Sequence, residues 1–195
     1  LVHPPMVGWV IQLFSLNLLF DSEFFIRLAS IVFMTANTYI LFRIGKEIKN
    51  AQTGLYAALL YTASIYAFVI TGVFILPDTP LMLFWLLAFW MAVLYFKRLH
   101  TQQHSDSYLV LFGAFAGLAM LSKYSGVFLW VGMMLYILFF DRKPLKTWAL
   151  YCSLLISLTL VLPILKWNID NGFISFNFHG DRISLFGKPN LGYFG

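Results

Sequence analysis

Long apolar runs separated by short polar segments dominate the chain, and this pattern predicts an all-α protein. Uncharged runs of about 17 to 25 residues are long enough to cross a bilayer as helices. Six candidate spans lie at about 24–43, 53–75, 79–96, 107–122, 124–140 and 147–165. Residues 6–20 form a shorter apolar run, which suits a span or an interfacial or re-entrant helix. We therefore expect a polytopic transmembrane helix bundle with about six spans plus a short N-terminal interfacial or re-entrant helix.

The stretch 107–140 is ambiguous because its only charge is Lys123, with 16 uncharged residues before it and 17 after it. A single helix of this length would extend about 50 Å, which exceeds a hydrocarbon core of about 30 Å. Two helices would each be slightly short, with Lys123 at the turn between them.

Basic clusters decide between these alternatives. Eight of the thirteen Lys and Arg residues lie in three short segments, 43–49, 97–98 and 142–146. The positive-inside rule places such clusters in the cytoplasm. Only a hairpin over 107–140 puts all three clusters on one side, so we expect the hairpin. The opposite, non-cytoplasmic side then carries His3, Asp78, Lys123, Lys166, His179, Asp181 and Arg182.

Composition excludes several protein classes. Hydrophobic residues make up 61% of the chain and charged residues 11%, against roughly 25% charged in soluble domains. A soluble globule is therefore excluded. One cysteine excludes a disulfide framework. The net charge of +5 comes mainly from the topological clusters, so we expect no nucleic-acid partner. Nucleotide fingerprints and metal-ligand clusters are absent, so we expect no metal and assign no cofactor.

The polar composition rises after residue 165. We expect residues 1–165 to form a partial transmembrane bundle and residues 166–195 to form a truncated non-cytoplasmic loop. The chain begins at Leu1 rather than Met and stops within this loop, so we expect it to be a fragment of a longer protein.

Asp78 lies between two predicted spans, in the segment LPDTP at 76–80. One interpretation is helix initiation, because Asp and Thr are good caps and Pro is tolerated in the first turn. The other is a carboxylate at a membrane-embedded site, which accepts a proton or binds sugar hydroxyls or a cation.

Lys123 lies at the predicted tip of the hairpin. Its long side chain can reach the interface without any functional role. Ionisable residues within apolar spans are nevertheless functional candidates, and a cation beside apolar grooves suits the phosphate of a lipid carrier.

Three further residues are candidates for substrate binding. His3 precedes two prolines, and its pKa near 6.5 leaves structural and catalytic roles open. The loop segment 179–182 holds His179 and Arg182, which offer a base and a fork-shaped phosphate binder. Surface loops often carry such residues without function.

Five short strings, in order, resemble motifs of polytopic GT-C type membrane glycosyltransferases. The strings are HPPMVGW at 3–9, FFIRL at 24–28, LPDTPL at 76–81, GLAMLSK at 117–123, and PILKWN at 163–168 followed by FISF at 173–176. More narrowly, the chain resembles bacterial relatives of dolichyl-phosphate-mannose protein mannosyltransferases and of the lipid A aminoarabinose transferase.

The resemblance implies transfer of a hexose or pentose from a polyprenyl-phosphate donor to a protein, lipid or glycan acceptor. The lipid-phosphate sugar is then a substrate rather than a cofactor. Lys123 would bind the donor phosphate and Asp78 would line the same cavity, whereas His3 stands where some relatives have Lys. The loop from Trp167 to Arg182 would cover the sugar and acceptor site. The family's catalytic Asp is expected upstream of Leu1, so residues 1–195 alone should be inactive.

The resemblance also implies an integral protein of a bacterial inner (plasma) membrane, with the active site facing the periplasm or exterior. An alternative function is a transporter or flippase for a lipid-linked or small anionic substrate, with Asp78 and Lys123 along the path. A third is a non-catalytic structural subunit. An active transferase should lose donor binding when Lys123 is removed, whereas a transporter should move substrate across a membrane.

Overall fold

The computed structural model describes residues 4–172 except 18, 20, 21, 102 and 104. Within this part the chain is helical and contains no strand, which confirms the all-α prediction. The α-helices of the described part are α1 (Met6–Phe14), α2 (Glu23–Ile48), α3 (Ala51–Ala63), α4 (Asp78–His100), α5 (Asp106–Ser122), α6 (Phe128–Phe139) and α7 (Trp148–Asp170). A π-helix covers Tyr66–Ile70, and 3-10 turns cover Tyr124–Val127 and Lys143–Lys146.

The main hydrophobic core lies among α4, α5, α6 and α7. Tyr95 of α4, Leu109 and Phe112 of α5, and Ile137 of α6 are almost fully buried within it. The rings of Phe112 and Trp130 meet edge to face with centroids 5.2 Å apart. Helix α5 is therefore central, with α4 and α7 packed on it and α2 packed on α4.

Small residues allow α5 and α7 to approach closely. A Cβ atom on Gly113 would lie 2.2 Å from the backbone oxygen of Ser153, so only glycine fits at this position. Nearby, the indole N–H of Trp130 donates to the Ser157 hydroxyl at 3.0 Å, and that hydroxyl donates to the Gly113 carbonyl. Close helix contact through small and hydroxylated residues is typical of membrane helix pairs.

The apolar run 53–75 is not one continuous helix. Helix α3 ends at Ala63, and Ser64 adopts an extended backbone conformation. The Ser64 hydroxyl accepts a hydrogen bond from the amide of Ala67, at the start of the π-helix. Serine side chains that bond nearby backbone groups compete with the regular helical ladder, which explains an interruption that hydropathy alone does not reveal.

Helix α1 has nine residues. At 1.5 Å per residue it is about 14 Å long, which is too short to cross a hydrocarbon core of about 30 Å. Its buried residues Met6 and Val10 pack against Leu121 of α5 and Ile164 of α7. Leu16 and Asn17, just after the helix, have positive φ angles of 47° and 60°. Helix α1 therefore lies at one end of the bundle.

The apolar stretch 107–140 breaks at Lys123. Helix α5 ends at Ser122, and Lys123 is extended, with φ −157° and ψ 141°. The amide of Gly126 then donates to the Lys123 carbonyl at 2.9 Å. A Cβ on Gly126 would lie 2.5 Å from the Met120 amide nitrogen, so this tight turn requires glycine.

Three of the described helices, α2, α4 and α7, are long and apolar enough to cross a membrane. Helices α5 and α6 are shorter apolar helices. The length and apolar composition of these helices indicate an integral membrane protein. That α3, α5 and α6 also span stays a prediction. Helix α7 continues through Asp170, so residues 166–170 are helical and not part of the predicted loop. Residues 173–195 lie outside the described part, and their loop stays a prediction.

The described Lys, Arg, Asp and Glu residues lie at two opposite ends of the bundle. At the end we call the basic end, Lys97 of α4 contacts Glu47 of α2 with its Nζ 2.8 Å from Oε2. Phe96 of α4 meets Tyr136 of α6 there, with ring centroids 4.3 Å apart. This end carries eight basic residues (Arg43, Lys46, Lys49, Lys97, Arg98, Arg142, Lys143 and Lys146) and three acidic ones (Glu47, Asp106 and Asp141). The other end, called the Lys123 end, holds three of each: Arg27, Lys123 and Lys166, with Glu23, Asp78 and Asp170.

Candidate active site

Asp78 and Lys123 form an ion pair at the Lys123 end. The Lys123 Nζ lies 2.9 Å from Oδ1 and 3.1 Å from Oδ2 of Asp78, so both carboxylate oxygens accept from one ammonium group. The side chain of Lys123 is 38% exposed and that of Asp78 is 19% exposed. The structure thus brings together the two ionisable residues that the sequence singled out at this side of the predicted membrane.

Helix geometry places the two partners. Asp78 is the first residue of α4, after Pro77, and Lys123 directly follows the last residue of α5. Helices α4 and α5 pack side by side. At their other end Arg98 of α4 lies over the ring of Tyr108 of α5, so the two helices run in opposite directions and the start of α4 meets the end of α5. Thr79 fixes the preceding turn, since its hydroxyl accepts from the Leu76 amide and donates to the Phe74 carbonyl.

Tyr66 is a third member of the site. Its hydroxyl donates to Asp78 Oδ1 at 2.8 Å. Tyr66 begins the π-helix, and π-helical turns are frequently found at functional sites. Sequence reasoning missed Tyr66 because an aromatic residue within an apolar run looks like a packing residue.

The carboxylate of Asp78 accepts hydrogen bonds from Tyr66 and Lys123, and the ammonium group of Lys123 balances its negative charge. An ammonium group has three N–H donors, and two of those on Lys123 are directed at Asp78. The third is left for another acceptor, and the side chain is exposed enough to reach one. The pair therefore supplies a positioned, partly solvated cation whose orientation is fixed by Asp78 and Tyr66.

A small cavity of about 140 Å³ lies beside the 3-10 turn that follows Lys123. Pro4 and Pro5 of the first motif, Tyr124, and Pro163, Ile164, Trp167 and Asn168 of the last motif line it. Segments far apart in sequence thus converge at the same end of the bundle as Asp78. None of these seven residues was itself assigned to a binding site from the sequence, although Trp167 opens the loop expected to cover the substrate.

Asn168 is the one polar residue among the seven that line this mainly apolar cavity, apart from the ring polar groups of Tyr124 and Trp167. The residue is fully buried, and its Nδ2 donates to the Ile164 carbonyl at 3.0 Å. Its Oδ1 has no hydrogen-bond partner among the described residues. A buried acceptor without a partner costs free energy, so Asn168 is a candidate for a role beyond packing.

Other predicted site residues fall outside the part of the chain that the structure describes. His3, His179 and Arg182 belong to this group, so their roles stay predictions. Arg27 is a further cation at the Lys123 end; it pairs with Glu23 and lies over the Phe74 ring at 5.7 Å. Among the described residues, no group of three or more His, Cys, Asp or Glu side chains could hold a metal ion.

Comparison with known proteins identifies a family. The sequence model of the dolichyl-phosphate-mannose-protein mannosyltransferase family matches residues 2–167. No curated protein matches the chain significantly, and neither does a solved structure. The matched region covers most of the chain and includes the converging segments of the Lys123 end. The chain therefore belongs to the dolichyl-phosphate-mannose-protein mannosyltransferase family, a GT-C type group of membrane glycosyltransferases that use lipid-linked donors.

Proposed function

We propose that the protein transfers a sugar from a polyprenyl-phosphate donor to an acceptor at the non-cytoplasmic membrane face. The observation that carries this proposal is the Asp78–Lys123 pair at the end opposite the basic clusters. The positive-inside rule assigns the basic end to the cytoplasm, so the pair faces the periplasm or exterior. We also propose that this membrane is a bacterial inner membrane, because the sequence resembles bacterial members of the family.

The reaction requires stabilisation of a departing phosphate. The bond between the anomeric carbon and the donor phosphate oxygen breaks, and the acceptor oxygen bonds to that carbon. The leaving polyprenyl phosphate gains negative charge, and a positioned cation stabilises it. In the proposed site, Lys123 donates its remaining N–H to a phosphate oxygen while its other two N–H groups stay on Asp78.

The acceptor hydroxyl must lose its proton to a base. Asp78 is already bound by Lys123 and Tyr66, so we assign it to positioning Lys123 rather than to proton removal. We assign no residue of the described part as this base. His3, His179 and Arg182 are proposed to line the substrate site with this pair.

The 140 Å³ cavity suits part of the transferred sugar or of the acceptor. Aromatic side chains such as Trp167 and Tyr124 offer flat faces for the apolar side of a sugar ring, and Asn168 Oδ1 offers an acceptor for a hydroxyl. We therefore place the sugar-binding region between Lys123 and Trp167.

A binding and transfer assay on the full-length gene product tests the proposal. Lys123→Ala should weaken binding of polyprenyl-phosphate sugar about 10- to 100-fold, the loss expected for one charge-assisted hydrogen bond. Lys143→Ala, at the basic end, is the matched control and should bind normally. Unchanged donor binding and transfer in Lys123→Ala would exclude the phosphate role.

Substrate flux tests the transporter alternative. Among the described residues, Lys, Arg, Asp and Glu occur only at the two ends of the bundle, whereas a transport path for an anion is expected to carry charged groups between the two faces. Proteoliposomes containing the protein should show no flux of the lipid-linked sugar above protein-free vesicles. Flux that depends on Lys123 would favour the transporter.

A further inference from the structure

A second, much larger cavity lies away from the candidate active site. It is a groove of about 630 Å³ between α4 and α6. Most of its walls are apolar or aromatic, and they include Trp85, Phe89, Phe128, Gly132 and Tyr136. Along α4 the groove runs from Trp85 to His100, which corresponds to about 22 Å at 1.5 Å per residue. An elongated apolar groove of this length in a membrane protein fits a hydrocarbon chain.

Two polar side chains that can donate hydrogen bonds line the groove where it reaches the basic end. Lys97 and His100 both line it, and both are exposed on α4. Lys97 Nζ donates to the carbonyl and to Oε2 of Glu47, which leaves one of its three N–H donors. His100 offers a ring N–H in either protonation state. The polar mouth of the groove can therefore donate at least two hydrogen bonds to an anion.

The charge around this mouth favours an anion as well. The basic end carries eight Lys and Arg residues against three acidic residues, whereas the Lys123 end carries three of each. Each basic residue near an anionic membrane surface contributes favourably to lipid binding. The anion therefore belongs at the basic end, and the hydrocarbon extends from there toward Trp85 and Phe128.

We propose that the α4–α6 groove binds one hydrocarbon chain of an anionic phospholipid whose phosphate contacts Lys97 and His100. Lipid binding in the groove needs only an integral membrane protein, and the choice of a phospholipid over the sugar donor rests on the proposed function. The polyprenyl chain of a sugar donor fits less well, because its phosphate is assigned to Lys123 and its far end would bring no anion to Lys97. A second copy of the chain would bring the same excess of basic over acidic residues to this end.

Native mass spectrometry of the purified protein provides the test. The protein in detergent is mixed with phosphatidylglycerol or with phosphatidylcholine of identical acyl chains, and retained lipid is counted. We expect preferential retention of one phosphatidylglycerol. Equal retention of the two lipids would overturn the proposal, since charge would then play no part.

Gly132 allows the groove to be filled without disturbing the core. A Cβ at Gly132 meets nothing within 4 Å, and the same holds for Gly8 of α1, which lies outside the groove. Both glycines are in helices, where leucine is the better helix former. Gly132→Leu should abolish most phosphatidylglycerol retention, and Gly8→Leu should leave it unchanged. Equal retention by the two variants would assign the lipid to another surface.

The headgroup contacts are tested separately. Lys97→Gln should lower the preference for phosphatidylglycerol over phosphatidylcholine about fivefold, the factor expected for one basic residue near anionic lipid. His100→Leu removes the ring N–H and should lower it about two- to tenfold, the cost of one hydrogen bond. Lys143→Gln removes a charge from the same end outside the groove and should have a smaller effect. A loss as large in Lys143→Gln would indicate general charge attraction instead of a site.

Two competing occupants give distinct results. In one result, added polyprenyl phosphate displaces phosphatidylglycerol from the protein, and Gly132→Leu no longer retains the polyprenyl phosphate. This result would assign the groove to the donor chain. A dimer that becomes a monomer in Gly132→Leu would assign it to a second copy. Either result overturns the phospholipid proposal.

Discussion

Lys123 and Asp78 lie 45 residues apart in sequence, yet the ammonium of one spans both carboxylate oxygens of the other at 2.9 and 3.1 Å. The pair connects the end of α5 to the start of α4. It is partly exposed, so solvent screening limits its contribution to stability. Its importance lies more in fixing the position of a cation than in holding the fold together.

A double-mutant cycle measures this coupling. Asp78→Asn, Lys123→Gln and the double variant should show an interaction energy of about 1 kcal/mol in the free energy of unfolding, as expected for a partly exposed ion pair. Equilibrium unfolding in mixed micelles gives the three values. Effects that add within about 0.3 kcal/mol would show that the two side chains are not coupled.

Tyr66 should affect activity more than stability. Tyr66→Phe removes the hydroxyl that donates to Asp78 and keeps the ring. We expect kcat/KM of the full-length gene product to fall about three- to tenfold. This is less than the full cost of a hydrogen bond to a charged group, because Tyr66 acts on the substrate only through Asp78 and Lys123.

Tyr56→Phe is the control for that experiment. The Tyr56 hydroxyl accepts from Gln52 on the exposed side of α3, away from Asp78. Its loss should leave kcat/KM unchanged. An equal loss in both variants would point to a general effect of the hydroxyl on folding.

The α5–α7 contact should be intolerant of any side chain. Gly113→Ala introduces a Cβ that would lie 2.2 Å from the Ser153 carbonyl oxygen, and backbone must move to accept it. We expect a loss of about 1 to 3 kcal/mol in the free energy of unfolding, the usual cost of overpacking. Gly132→Ala, where the Cβ meets nothing, should be neutral or slightly stabilising.

Sidedness is tested by cysteine labelling. In a Cys152→Ser background, Lys123→Cys should react with a membrane-impermeant maleimide only from the non-cytoplasmic side, and Lys143→Cys only from the cytoplasmic side. The positive-inside rule gives this expectation. Reaction of both positions from one side would refute the hairpin over 107–140.

Much of the architecture could be predicted because hydropathy reports helices in a membrane protein directly. The positions of the basic clusters predict that Asp78 and Lys123 lie on one side of the membrane, since one predicted span separates each of them from the basic cluster that follows it. The interruption at Ser64 was not predictable, because it depends on one side-chain hydrogen bond within an apolar run. Neither were Tyr66 and Asn168, whose importance comes from neighbours that are distant in sequence.

The groove between α4 and α6 could not be predicted from the sequence either. Phe89 and Gly132 look like ordinary packing residues in the sequence, and only the separation of α4 from α6 creates a cavity between them. His3, His179 and Arg182 lie outside the described residues, so the proposed substrate site rests on Lys123, Asp78, Tyr66 and the cavity beside Trp167.

The tight contact at Gly113 has a consequence for the site. Gly113 and Lys123 belong to one continuous stretch, with α5 running about 15 Å between them at 1.5 Å per residue. A small tilt of α5 about its contact with Ser153 therefore displaces the Lys123 ammonium relative to Asp78. Sequence changes along the α5–α7 contact are thus a means of tuning the alignment of that cation from a distance, without altering any group that touches substrate.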